Sequence, residues 1–411
     1  MKYLAFALAT LSGSLLANET FPNLPPREAV IQVLRAQPSV QAAGGQIQVE
    51  EANRRRLEAG NHEWSLRLGG QQRKATPNGS PNERFTEWNA AVERPLRLPG
   101  KAALDSEIGS LGVNLAETAQ GDTLHESSRN LLKSWFIWLR ESATAAQWRE
   151  QSALLEQQSK ALKRRLQLGD TSRLEQIQAE AAQAQAEAQL AQARVRQRSA
   201  HEDLRRRFPG LPLQEQESVA APEAVKGTAE EWINAILEHN HELALARGEA
   251  QRAQSLAGRS SRERLPDPTV GVQFSRERGG EENVMGAYIS IPLPGSARFA
   301  ASDASRAQVG VASSREAAVR QRIEAEAAQL YATAVAAVDS WQSSRIAAEH
   351  LTRAAEMTTR SYQLGEGTLS DLLAGRRLAN EARLAARLMQ LEALELRYRL
   401  LLDAHRLWDF D

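Results

Sequence analysis

Chemistry near neutral pH would fall first to the seven histidines of this 411-residue chain, which has no cysteine. A metal site needs imidazoles that converge on one ion at about 2 Å. His239 and His241 are the closest pair in sequence. On one continuous helix their rings would point about 200° apart, so they would not chelate together. His62, His125, His201, His350 and His405 are scattered along the chain. The spacing therefore predicts no resident metal. Nothing resembles a phosphate-binding loop, an H-E-x-x-H helix or a G-x-S-x-G elbow. Without cysteine there is no thiolate nucleophile, no disulfide and no lipid attached through an N-terminal Cys. The residues predict no enzyme and no cofactor.

Two short polar turns remain, Leu168-Gly169-Asp170 and Leu364-Gly365-Glu366. Glycine takes the positive φ that ends a helix, and the acidic and hydroxyl residues after it suit the cap and first turn of a returning helix. Asp371 lies one turn past the second break, where the helix dipole favours a carboxylate.

These turns belong to a plan that occurs twice. Pro95-Leu96-Arg97-Leu98-Pro99-Gly100 returns as Pro292-Leu293-Pro294-Gly295, and Gln37-Pro38-Ser39-Val40 has its echo in Asn240-His241-Glu242-Leu243. All the offsets fall near 200 residues. A period this long is no solenoid repeat; it predicts an internal duplication of a large unit. The first repeat spans 18–210: a helix from about Arg27 to Ala59, a β-hairpin at about 62–94, a long helix over 101–167 and a helix over 171–207. A polar linker, 211–227, follows. The second repeat, 228–411, has a helix from about Ala229 to Arg262, a β-hairpin at about 268–292, a long helix over 298–363 and a helix over 368–407. Alternation marks the hairpins, as in His62 to Gly69 and Thr269 to Ser275, with a turn cluster at Thr76–Asn82. The Ala-rich run from Ala179 to Ala193 suits helices that approach closely, or one kept helical by propensity.

Composition agrees. Aromatics are 5%, and long stretches lack Pro and Gly, as in long helices. A helix of some 67 residues is about 100 Å long, too long for the core of a compact globule of this mass. Two strands per half leave a sheet with open edges, which identical chains would close. The 51 basic residues equal the 51 acidic ones, so charge gives no case for nucleic acid. Met1-Lys2, the apolar run Leu4 to Leu16 and the polar Asn18 beyond read as a signal peptide over 1–17, so the chain is expected to leave the cytoplasm.

The layout resembles the TolC family of outer-membrane efflux channels. The segment Tyr362-Gln363-Leu364-Gly365-Glu366-Gly367-Thr368-Leu369-Ser370-Asp371-Leu372-Leu373 is similar to that family's second hairpin tip. Arg165 through Glu175 is similar to the first. The resemblance implies a mainly α fold with a small β part: a periplasmic α-barrel of long antiparallel hairpins, and two β-hairpins per protomer in a 12-stranded trimeric outer-membrane barrel. It implies a homotrimer in the outer membrane of a Gram-negative bacterium, reaching into the periplasm and touching outer-membrane lipid. Its partners would be a periplasmic adaptor (membrane fusion protein) and an inner-membrane RND pump. Docking would fall to Arg165, Leu168, Gly169, Asp170 and Ser172 of the first tip and Leu364, Gly365, Glu366 and Thr368 of the second. Asp371 would ring the periplasmic gate. A further acid that many members carry three positions on is Ala374 here, so a double acidic ring is not implied. The short length and missing lipid-bearing Cys resemble the heavy-metal (cobalt–zinc–cadmium) branch, so cargo would be metal cations or small toxic compounds. Two other readings stay open: a duct for type I protein secretion, and a periplasmic coiled-coil adaptor or scaffold.

Overall fold

The computed structural model describes residues 21–76, 79, 83–214 and 218–408. The signal peptide expected over 1–17 lies outside these, as do parts of the turn at 76–82 and of the linker 211–227.

The chain runs α1 (Arg27–Arg35), α2 (Pro38–Ala59), β1 (Ser65–Ala75), β2 (Glu83–Pro95), α3 (Lys101–Gln167) and α4 (Arg173–Arg207). It then runs α5 (Ala229–His239), α6 (His241–Arg262), β3 (Thr269–Glu277), β4 (Glu282–Ser290), α7 (Ser296–Leu364) and α8 (Leu369–Asp403). The element order of the first half recurs in the second. α3 and α7, of 67 and 69 residues, are the long helices expected.

The single helices expected over Arg27–Ala59 and Ala229–Arg262 are each broken in two. In the first, Pro38 sits at the first position of α2 and holds Gln37 extended, at φ −61° and ψ 133°. In the second, the Asn240 side chain accepts from the Leu243 N–H at 2.8 Å and starts α6 afresh. These breaks are the echoed segments Gln37–Val40 and Asn240–Leu243. α8 stops at Asp403, short of the expected Leu407: His405 turns left-handed at φ 54°, and the Arg406 N–H closes on the Leu401 carbonyl at 2.8 Å. That turn buries Leu407 and Trp408 in the core.

The main core lies about halfway along the long helices. Trp135, Phe136 and Trp138 of α3 pack with Leu34 of α1, Leu204 of α4 and Tyr398 of α8. The N-terminal arm straps across it. Trp135 Nε1 donates to the Asn23 carbonyl at 2.7 Å, and Tyr398 Oη donates to that of Pro22 at 2.7 Å.

At one end of the helices the four strands form one antiparallel sheet in the order β1-β2-β3-β4. The halves meet where β2 pairs β3, from Trp88 opposite Arg276 to Pro95 opposite Thr269. Register gives the sheet two unlike faces. Leu66, Leu68, Trp88, Ala90, Val92, Val270, Val272, Phe274, Met285, Ala287 and Ile289 share one. Arg67, Gln71, Arg73, Glu87, Asn89, Glu93, Gln273, Ser275 and Tyr288 share the other. The apolar face is uncovered: Met285 is 83% exposed and Leu68 71%.

Where helices become strands, a set of charges is buried. The Lys101 side chain is 1% exposed; its Nζ meets Asp267 Oδ1 at 2.9 Å and the Leu265 carbonyl at 2.7 Å. Asp267 also accepts from the Leu98 N–H at 3.0 Å and faces His62 Nε2 at 3.2 Å. One layer away Asp105 joins Arg97 at 2.5 Å and Arg259 at 2.7 Å. Residues of both halves take part in each group. Burial alone would raise the Asp267 carboxyl, but hydrogen bonds from Lys101, Leu98 and His62 outweigh it and hold it below its ordinary value. At Asp403, burial is likewise outweighed, by a hydrogen bond from His125 and the charges of Arg129 and Arg399.

A carboxylate with a depressed folded pKa contributes stability above its unfolded pKa and loses it as pH falls through the folded one. Thermal unfolding followed by helical circular dichroism should hardly change from pH 7 to about 5 and fall steeply below about 4. Asp403→Asn should flatten that fall, and Lys101→Ala should cost about 3–5 kcal/mol at pH 7 by stranding buried carboxylates. An unfolding midpoint for Lys101→Ala equal to that of the parent chain would show that the network carries no stability.

Candidate functional site

The two hairpin tips lie at the other end of the helices, and the sequence that closes them is local. Gly169 and Gly365 sit at φ 79° and 80°. The Asp170 N–H bonds the Arg165 carbonyl at 2.9 Å, and the Glu366 N–H bonds that of Ser361 at 3.0 Å. This is the same helix-ending turn twice. Ser172 then caps α4, accepting from the Glu175 N–H at 3.2 Å while Glu175 returns to the Ser172 N–H. Thr368 caps α8, accepting from the Asp371 N–H at 3.1 Å.

Asp371, singled out as a gate residue, is exposed, and its carboxylate accepts from the Thr368 hydroxyl at 2.6 Å. In the single chain it completes a cap. Leu168 and Leu364 have no such local duty. They are 81% and 59% exposed at the outermost points of the tips, and a Cβ on either following glycine would meet nothing within 4 Å.

The structure brings the two tips side by side at this end. Leu162 of α3, Ala179 of α4 and Leu369 and Leu372 of α8 form one small buried cluster beneath them. Above it the Arg165 guanidinium lies 5.9 Å from the centre of the Tyr362 ring. Arg165 donates to Tyr362 Oη at 3.3 Å and to the Asp170 carbonyl at 3.1 Å. One side chain thus holds its own turn and reaches across to the other hairpin. Burial, with the charge of Glu175, raises the Tyr362 hydroxyl above its ordinary value despite the nearby Arg165, so it stays neutral as an acceptor.

The expectation of scattered histidines is corrected. His239 and His241 lie on either side of the Asn240 break and not on one helix, so the 200° argument does not apply to them. Both rings approach His405, at 5.4 and 5.1 Å, and His125 stacks on it at 5.2 Å. Gly121 of α3 makes room: a Cβ there would come within 2.8 Å of the His241 ring. Even so, no three His, Asp or Glu among the described residues are arranged to hold a metal ion. The signal that could have found this cluster was Asn240, read as a cap.

Residues 232–401 match the Outer membrane efflux protein family. No curated protein matches the chain in sequence. Among solved structures it is similar to CusC, at 14% identity and a TM-score of 0.75 over 92% of this chain and 91% of that one. The crystal structure of the outer membrane protein VceC from Vibrio cholerae gives 16% identity and a TM-score of 0.73, over 92% and 95%. The CmeC outer membrane channel of Campylobacter jejuni gives 12% and 0.72, over 99% and 94%. At these identities the likeness is one of fold, and it extends over nearly the whole chain.

The turn residues and the exposed leucines should separate in a stability measurement. Gly169→Ala and Gly365→Ala each force a Cβ into the left-handed region and should cost about 1–2 kcal/mol. Leu168→Glu and Leu364→Glu should leave thermal stability within about 0.5 kcal/mol of the parent. A large loss for either leucine variant would mean that these side chains serve the fold itself.

Proposed function

We propose, from the match of residues 232–401 to the Outer membrane efflux protein family, that the protein is one subunit of a homotrimeric outer-membrane channel, the exit duct of a tripartite efflux system. The two-faced sheet carries this reading. Its apolar face is uncovered, its edges at β1 and β4 are open, and it continues directly into helices about 100 Å long. Three copies supply twelve strands and close every edge. Strands of 9–13 residues suit a tilted span of the hydrocarbon layer. Lipid then meets the apolar face, and water fills a lumen lined by the polar one. At the helix end of the apolar face Trp64 is 66% exposed, with Arg94 packed 5.4 Å from its ring centre, an arrangement that suits the membrane–water boundary. Among the described residues no helix is long and apolar enough to cross a membrane. The helices reach through the periplasm of a Gram-negative cell.

The duct performs no covalent chemistry. Cargo, whether heavy-metal cations or small toxic compounds, moves passively through the bore. An inner-membrane RND pump supplies the energy, and a periplasmic adaptor docks on the tips. The exposed Leu168 and Leu364 present apolar knobs that the fold does not use, which is what a docking partner would read. The two repeats are then quasi-equivalent units, six around one pore. Asp371 of each subunit lines the entrance, where carboxylates favour cations. Opening moves the hairpins apart and breaks the Arg165–Tyr362 contact.

Three outcomes check this reading. Val272→Arg places a charge on the lipid face and should cost about 2–4 kcal/mol of barrel stability, where Gln273→Arg on the lumen face costs little. Leu168→Glu with Leu364→Glu should bring resistance to metals and drugs down to that of a deletion strain while folded trimer remains in the outer membrane. Undiminished resistance would remove the docking role. Arg165→Ala should raise the conductance of the channel in planar bilayers, and unchanged conductance would remove the latch.

A further inference from the structure

Apart from Arg94, which donates to the His62 carbonyl at 2.9 Å, the arginines and lysines of the strands fall into two kinds. On the polar face each arginine is matched: Arg67 meets Glu93 at 2.7 Å, and Arg73 meets Glu87 at 3.1 Å and Glu277 at 2.8 Å. On the apolar face, at the hairpin-turn end, stand Lys74, Arg84 and Arg276, all exposed. Among the described residues none of the three forms an ion pair. Lys74 lies directly opposite Arg84 across β1 and β2, a like-charge pair that repels at close range. Arg276 is level with Trp88, four residues along β2 from Arg84, so the three charges span roughly 14 Å of strand. Below them, past Gln72 and Thr86, the face is apolar down to Leu66 and Val270.

A barrel could have placed neutral residues there at no loss. It instead holds a repelling pair and a third cation at the hairpin-turn end of its lipid-facing surface, on the face opposite Glu87, Glu93 and Glu277. We propose that Lys74, Arg84 and Arg276 form a binding surface for the phosphate groups of anionic lipid in the outer leaflet. Guanidinium forks and an ammonium pair well with phosphate oxygens, and the bound anion relieves the Lys74–Arg84 repulsion. Acyl chains of the same lipid lie along the apolar belt below, at Trp88, Phe274 and Met285. A lipid supplies both contacts at once, which free phosphate does not. This inference rests on the reading of the sheet as part of an outer-membrane barrel.

The test uses the full chain reconstituted in three preparations: phosphatidylcholine vesicles containing lipid A, the same with dephosphorylated lipid A, and phosphatidylcholine alone with inorganic phosphate in solution. Channel conductance reports insertion, and thermal dissociation of the assembled channel reports binding. The parent chain should shift to higher temperature with phosphorylated lipid A only. The triple variant Lys74→Gln, Arg84→Gln, Arg276→Gln should conduct as the parent does and lose the shift. The single variant Lys74→Gln should dissociate at a higher temperature than the parent in phosphatidylcholine and gain less from lipid A. Equal shifts with both forms of lipid A, a shift with inorganic phosphate alone, or a shift retained by the triple variant would each overturn the proposal. A parent chain that inserts and shows no shift would do the same. A parent chain that inserts in no vesicle would overturn the barrel reading itself, and the lipid surface with it.

Discussion

Every passage of the chain between helix and strand runs through one thin layer, and that layer is held by charges removed from water. Lys101 stands at the start of α3 and Asp267 just before β3, so their contact ties the first half's entry into its long helix to the second half's entry into the sheet. Asp105 does the same for Arg97 and Arg259. Burying an ammonium at 1% exposure is costly unless its partners are fixed. Here they are: the Leu265 carbonyl and the Asp267 carboxylate come from a rigid Pro-bounded segment. The network sets where the long helices stand relative to the strands. Without that placement the sheet's apolar face and the tips at the far end would have no defined relation.

One alternating pattern gives the sheet two unlike faces. Alternation along each strand is ordinary, but the apolar side is left uncovered by any described part of the chain, and the polar side carries charges satisfied among themselves. Glu87 is 2% exposed on a four-stranded sheet because Gln71, Arg73 and the Arg278 N–H surround it. A carboxylate so enclosed on one face and bare leucines on the other reverse the usual order of a soluble sheet. The reversal is what the proposed barrel wall, with water inside and hydrocarbon outside, would require.

Much of this was legible before any coordinates. Strand alternation, the Pro-bounded hairpins and the long Pro-free stretches place α3, α4, α7 and the sheet near their observed bounds. The misses have physical causes. Pro38 and Asn240 stand out in the sequence as matching landmarks and not as helix starts, because helix-forming residues continue on both sides of each break. Periodicity therefore reports one helix where capping makes two. The histidine cluster followed from that miss, since a pair on one helix diverges and a pair flanking a break need not. The chain past Asp403 reads as helix by composition, and only packing of Leu407 and Trp408 turns it. Strand pairing of β2 with β3 and the cross-tip contact are long-range, and a single sequence carries no signal for either.

The tips show how far the repeat can be pressed. Gly169 corresponds to Gly365, and the turn bonds to the Arg165 and Ser361 carbonyls show that those two positions also correspond. A symmetric pair of tips would make two reciprocal contacts across the gap between them. This chain makes one, because Arg165 has reach and Ser361 has none, and because Tyr362 faces it where the first tip has Leu166. The turn backbone thus recurs while the cross-tip contact is single and directional. The first tip supplies the reaching side chain and the second receives it, above the buried cluster of Leu162, Ala179, Leu369 and Leu372 that also joins the two hairpins. The same inequality extends to the caps, Ser172 with Glu175 in one tip and Thr368 with Asp371 in the other. A partner that met both tips would find the same turn, with an arginine beside one and a tyrosine beside the other. The two turns share one geometry and differ in the side chains they present.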